Sequence, residues 1–174
     1  MRRLRSRRWW RSLPSRGRRL ATVARLGLRR LRGGGLGGIG NVIVVAGLWA
    51  AAEASVRVVP LPRLSRAFGA ELAPGSTPRA PDALSGDRRV TEPAALTATE
   101  QDRVRLAEVF GRQLASGPGP CLRQALVTAR VLRRLEPRLH LGVARRQSGE
   151  VWAHAWVELE DGRAFGRDDA VVPF

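Results

Sequence analysis

The sequence is short of the groups on which protein catalysis usually rests. Its 174 residues contain one cysteine and two histidines. A single cysteine excludes an intramolecular disulfide framework and a cysteine-rich zinc site. Lysine is absent: all 31 basic residues are arginine. Acid is absent from the first 32 residues, which hold 13 arginines. The remaining 18 arginines face all 15 acids, so the body of the chain carries only +3 of the formal +16. The extreme basicity therefore belongs to an N-terminal arm, and blocks of like charge are usually solvated tails. The length suits one domain with a real core and is too short for two. No metal and no cofactor is expected.

Four segments are expected along the chain. Residues 1–40 form a basic, disordered arm ending in the Gly-rich run GGGLGGIG. Residues 41–73 form an N-terminal helical segment. There Val42, Val45, Trp49, Ala52, Val56 and Val59 make a stripe at helical spacing, ended by Pro60 and Pro62, and Leu61, Leu64, Phe68 and Leu72 suggest a second short helix. The strongly apolar part, Val42 to Ala52, is shorter than a membrane span, so a helix packed on the domain is favoured over a signal or anchor. Residues 74–97, rich in Pro, Gly, Ser and Asp, read as a linker. Residues 98–174 form the main domain. It opens with a helix over about Glu100–Ala115 capped by Thr99, with Asp102 three residues on. A second helix runs over about Cys121–Leu135, with Arg123, Arg130, Arg133 and Arg134 on its wet side. Strands follow at Leu139–Ala144, at Val151–Leu159 with clean alternation, and at Arg163–Arg167 after an Asp161-Gly162 hairpin turn. Helices before strands, without a repeat, predict an α+β body.

Within that body one constellation could do chemistry. Cys121 follows Pro120 and opens a helix, where free N–H groups and the helix dipole favour a thiolate; Arg123 could add to this. His154 lies mid-strand between Trp152 and Trp156, which could line a peptide groove or fill core. Glu158 shares the face of His154 but is four residues along the strand, roughly 13 Å away. An orienting carboxylate should instead come from across the hairpin. A three-residue loop, Glu160 to Gly162, pairs His154 with Asp168 and sets Phe165 opposite Val157 on the apolar face. A two-residue loop pairs His154 with Asp169 and sets Phe165 opposite Glu158. Burying a Phe is worth about 1.5–3 kcal/mol, which favours Asp168, with Asp169 second. His140, beside leucines, reads as a core or edge histidine.

Cysteine before histidine, helix before sheet, is the order of papain-like and transglutaminase-like cysteine-peptidase cores. The runs C-L-R-Q-A-L-V-T-A-R-V-L-R-R-L (121–135), L-G-V-A-R-R (141–146) and A-H-A-W-V-E-L-E-D-G-R (153–163) resemble the lasso-peptide leader peptidases, the microcin-processing branch of the transglutaminase-like superfamily. The resemblance covers about residues 100–170 and, more loosely, Val42 to Leu72. Two features depart from the family: the Arg-rich front, and an acid after the hairpin shifted by about one residue, with Arg167 near the family's position.

The resemblance implies a cysteine peptidase that removes the leader from a ribosomally made lasso-peptide precursor. Cys121 would be the nucleophile, His154 the base and Asp168 the orienting acid. It implies three partners: the precursor's leader, a separate small leader-recognition protein, and an asparagine-synthetase-like cyclase acting after cleavage. The expected location is the cytoplasm, with anionic membrane contact through the arm and no specific nucleic acid. Two other classes remain open: a transglutaminase-like acyl transferase, and a non-enzymatic binding protein that uses the arm on membrane or nucleic acid.

Overall fold

The computed structural model describes residues 37–73, 94–114, 119–145, 151–167 and 172–173. The arginine arm, most of the expected linker, Asp168 and Asp169 lie outside the described residues. Among the described residues helix α1 covers Gly37–Ser55, so Gly37 to Gly40 at the end of the Gly-rich run, expected in the disordered arm, are helical. Val42, Val45, Trp49 and Ala52 recur every three to four residues and are all buried. They join one apolar cluster with Leu64 and Phe68, Phe110, Leu126, Leu139, Ala155 and Val157. Trp49 meets Phe110 with ring centroids 6.2 Å apart.

Helix α2 covers Leu61–Ala67, with Pro at its first turn. It ends at Gly69, whose φ of 78° is left-handed. Leu72 therefore does not continue the helical stripe but enters strand β1, Glu71–Leu72. Helix α3 is Ala98–Gln113, beginning two residues before the expected start. Thr97, not Thr99, is the cap, because Glu100 stands three residues after it and completes a capping box: Thr97 Oγ1 accepts from the Glu100 N–H at 3.2 Å, and the Thr97 N–H donates to Glu100 at 2.8 Å. Arg134 adds two hydrogen bonds to the same carboxylate, at 2.6 and 2.7 Å. Asp102 instead accepts from Asn41 of α1.

Helix α4 covers Pro120–Val131 and passes into a short 3-10 turn, Arg133–Leu135. Strands β2 (Arg138–Arg145) and β3 (Val151–Glu158) pair antiparallel along their full length. Strand β4 (Ala164–Phe165) follows β3, and β5 (Val172–Pro173) returns to β2. The sheet order is β1-β2-β3-β4, with β1 parallel to β2. The β3–β4 turn uses the longer loop: Leu159 N–H donates to Arg163 O at 2.9 Å, and Val157 lies opposite Phe165. The result is an α+β fold. Leu139, Ala155 and Val157 turn one face of the sheet into the helical core. The other face carries His140 stacked on Trp156, with centroids 5.3 Å apart.

Candidate active site

The site forms where α4 meets the edge of β3. Gly119 caps α4 in the left-handed region (φ 78°, ψ 36°), and Pro120 takes the first helical position, where no N–H is required. This turn delivers Cys121 at the helix start, with first-turn N–H groups still free of intrahelical partners. Strand β4 pairs with β3 only as far as Phe165, and Gly166 (φ 76°) turns the chain away. Among the described residues the β3 edge on the other side of Val157 is thereby left to Cys121. Its Sγ lies 3.8 Å from the Ala153 carbonyl and accepts from the Ala155 N–H. The arginine-flanked strand expected over 163–167 is cut to two residues by that glycine.

His154 completes the pair. Its Nε2 is 2.5 Å from the Gly166 carbonyl. A carbonyl only accepts, so Nε2 carries the proton, and in the neutral ring Nδ1 holds the lone pair. Nδ1 is then the nitrogen left to act on Cys121, whose thiol pKa the imidazole lowers. Burial pushes the Cys121 thiol up. The His154 hydrogen bond, the Ala155 N–H, the imidazole's charge and the Leu122 N–H together outweigh burial and hold the thiol below its ordinary range. Such a thiol, half-buried and open to a small cleft, has the chemistry a nucleophile needs, with an imidazole beside it able to take its proton. The cleft lies between Cys121, Gln124 and Ala125 on α4 and His154, Ala155, Phe165 and Gly166 on the sheet.

The structure sorts the remaining residues. Arg123, expected on the wet side and beside the thiolate, is buried. Its Nε stands 2.6 Å from Glu53 of α1, an ion pair by proximity without hydrogen-bond alignment; α1 covers that side of α4, so Arg123 ties helices together. Glu158 is apart from His154, as its spacing requires, with its Oε2 3.8 Å from His140 Nε2. Burial lowers the His140 pKa against the pull of Glu158, and Arg138 and Arg167 lower it further; the ring is buried against Trp156 on the sheet face away from the helical core and does not line the cleft. Trp156 is buried between the two imidazoles, stacking on His154 at 6.3 Å, and Trp152 meets His154 edge-on at 5.1 Å. Gln124 and Gly166 were not singled out from the sequence. Gln124 had a signal, since three residues after Cys121 on a helix means the same face; Gly166 had none, because only the pairing register places it. Among the described residues no group of three His, Cys, Asp or Glu could hold a metal ion.

A family model described as the transglutaminase-like superfamily matches residues 55–173. The chain belongs to that superfamily. No curated protein and no solved structure gives a match. Transglutaminase-like proteins include cysteine peptidases and acyl transferases, and both use a thiolate to open an acyl group. The matched span begins where α1 ends and contains every residue that lines the cleft.

Proposed function

We propose that this transglutaminase-like protein is a cysteine peptidase that removes the leader peptide from a lasso-peptide precursor, with Cys121, His154 and Asp168 as its triad. The observation that carries the reading is the Cys121–His154 pair at the start of α4, with Nε2 of the imidazole already committed to Gly166. The Cys121 thiolate attacks the scissile carbonyl, and the oxyanion is met by the Cys121 backbone N–H at the helix start. The C–N bond breaks as protonated His154 gives its Nδ1 proton to the leaving amine. Water then loses a proton to His154 and attacks the thioester, and the C–S bond breaks to return the thiolate. Asp168 is assigned the orienting role on the hairpin register expected from the sequence and on the family resemblance; its carboxylate would share the Nε2–H of His154 with the Gly166 carbonyl, since Nδ1 serves Cys121; Asp169 is second. The motif runs around Cys121 and His154 support leader removal over other peptide cleavage.

The precursor leader, a separate recognition protein and a downstream cyclase are the proposed partners, in the cytoplasm. Contact with anionic membrane through residues 1–32 belongs to the same proposal. Helix α1 is long and apolar enough to cross a membrane by length and composition alone.

The test is to incubate the purified chain with the precursor and the small recognition protein encoded beside it, and to weigh the products. Release of free leader, lost in Cys121→Ala, supports the reading. Release that persists in Cys121→Ala overturns it. A product heavier by an added amine, in place of water, would assign acyl transfer instead.

A further inference from the structure

Gln124 has no part in the steps above, yet it lines the cleft. It leaves α4 one turn after Cys121 and on the same face. Its carboxamide lies between two glycines from distant parts of the chain. On one side is Gly111, buried in the last turn of α3. A Cβ at Gly111 would lie 2.2 Å from Gln124 Oε1 and 3.1 Å from its Cδ, closer than real atoms approach. On the other side is Gly166, where a Cβ would lie 3.5 Å from Gln124 Nε2, ordinary contact. Gly166 is the residue whose carbonyl holds His154 Nε2. It lies just past the last β4 pairing, and among the described residues no ladder partner fixes that carbonyl on this side.

We propose that Gln124 is a positioning residue: wedged between Gly111 and Gly166, its side chain holds the Gly166 carbonyl in place and so fixes the His154 ring against Cys121. The inference rests on the Cys121–His154 pair being the working pair. It explains why residue 124 needs its length, since Asn is one methylene shorter and does not span the gap. It also explains the glycine at 111 inside a helix, where alanine is the better helix former. A methyl there would take the place of Gln124 Oε1. The end of Gln124 is free to swing, so the disturbance falls on the amide and not on the fold.

The chain has one cysteine, so the pH dependence of its alkylation by iodoacetamide reports the Cys121 thiolate and no other group. The profile is measured on the full chain for wild type, Q124A, Q124N, G111A, the Q124A/G111A double variant and H154A, with a melting curve for each. The wild-type midpoint is expected below that of a free thiol, with H154A moving it furthest up. Q124A, Q124N and G111A each move it up by about half a unit to one unit, and G111A melts no lower than wild type. The double variant moves no further than Q124A, because both changes break one contact. Wild-type midpoints in Q124N and G111A, with H154A shifted, would overturn the inference and leave the working pair standing. An unshifted H154A would overturn the pair and this inference with it. Should Q124A fail to fold, Q124N and G111A decide the matter alone.

Discussion

At Cys121 opposing influences act on one sulfur. Burial disfavours the thiolate, while the imidazole and two backbone N–H groups favour it and prevail. The reactive form is therefore lost only as pH falls through a value below that of an ordinary thiol, and the acid limb of cleavage should lie there. His154 supplies two of the lowering influences, so His154→Ala should move that limb upward. It should also slow cleavage by about 10²–10⁴, the usual worth of a positioned general acid–base. Cleavage rate against pH checks both, with melting curves to separate lost chemistry from lost fold. A His154→Ala variant that keeps the wild-type acid limb would show that another group sets the thiol. Cys121 and His154 were both legible from residue type and place: a helix start after proline, and a histidine in an alternating strand. What the alternation could not give is which edge of β3 the thiol would meet, because that depends on where β4 stops.

Two helix starts hold the body in register, and each offers a measurement. Thr97 caps α3 through its hydroxyl, and Thr97→Ala should cost about 1 kcal/mol, read as a lower denaturant midpoint. Glu100 answers that cap and also takes the Arg134 guanidinium, whose hydrogen bonds bring its pKa from 4.5 down to about 2 against the effect of burial. A folded pKa below the unfolded one gives stability that is present above the unfolded value and is lost as pH falls through about 2. Melting temperature should therefore drop more steeply between pH 4.5 and 2 in wild type than in Glu100→Gln. At α4 the start depends on Gly119 being left-handed, with nothing within 4 Å of where a Cβ would be. Gly119→Ala should cost about 1–2 kcal/mol from backbone strain alone and lower cleavage through the displaced Cys121. Gly119→Asn, better suited to that region, should recover part of both. The second helix and the hairpin strand were legible to within a few residues, since their periods and the Asp161-Gly162 turn are local signals. The cap of α3 was misplaced by two residues because Thr97 and Thr99 both precede an acid three positions on. Only the distant Arg134 decides between Glu100 and Asp102, and no local pattern contains it.

At the scale of the molecule, α1 carries both a core face and an apolar outer face. Its inner stripe is buried with residues of α3 and α4, Glu53 holds Arg123, and Asn41 bonds Asp102 and Arg103. Trp49→Ala should accordingly cost about 3–5 kcal/mol, as for other buried aromatics, which a denaturant curve would show. Outward, Ile43 and Val44 are exposed on a helix with a mean hydropathy of 1.4. The 13 arginines precede it, so the arm and this helix could both meet lipid, by different forces. Salt distinguishes them, because attraction to anionic headgroups weakens with screening while apolar insertion does not. A chain lacking residues 1–32 keeps 18 arginines against 15 acids, a net +3. It should keep the alkylation profile of Cys121 and lose binding to phosphatidylserine vesicles, whereas the full chain should bind them at low salt and release at high salt. If the shortened chain still sediments with vesicles at high salt, α1 and not the arginine arm makes the contact. If the full chain fails to bind at low salt, membrane contact through the arm is wrong, and the cleft chemistry is untouched by that result.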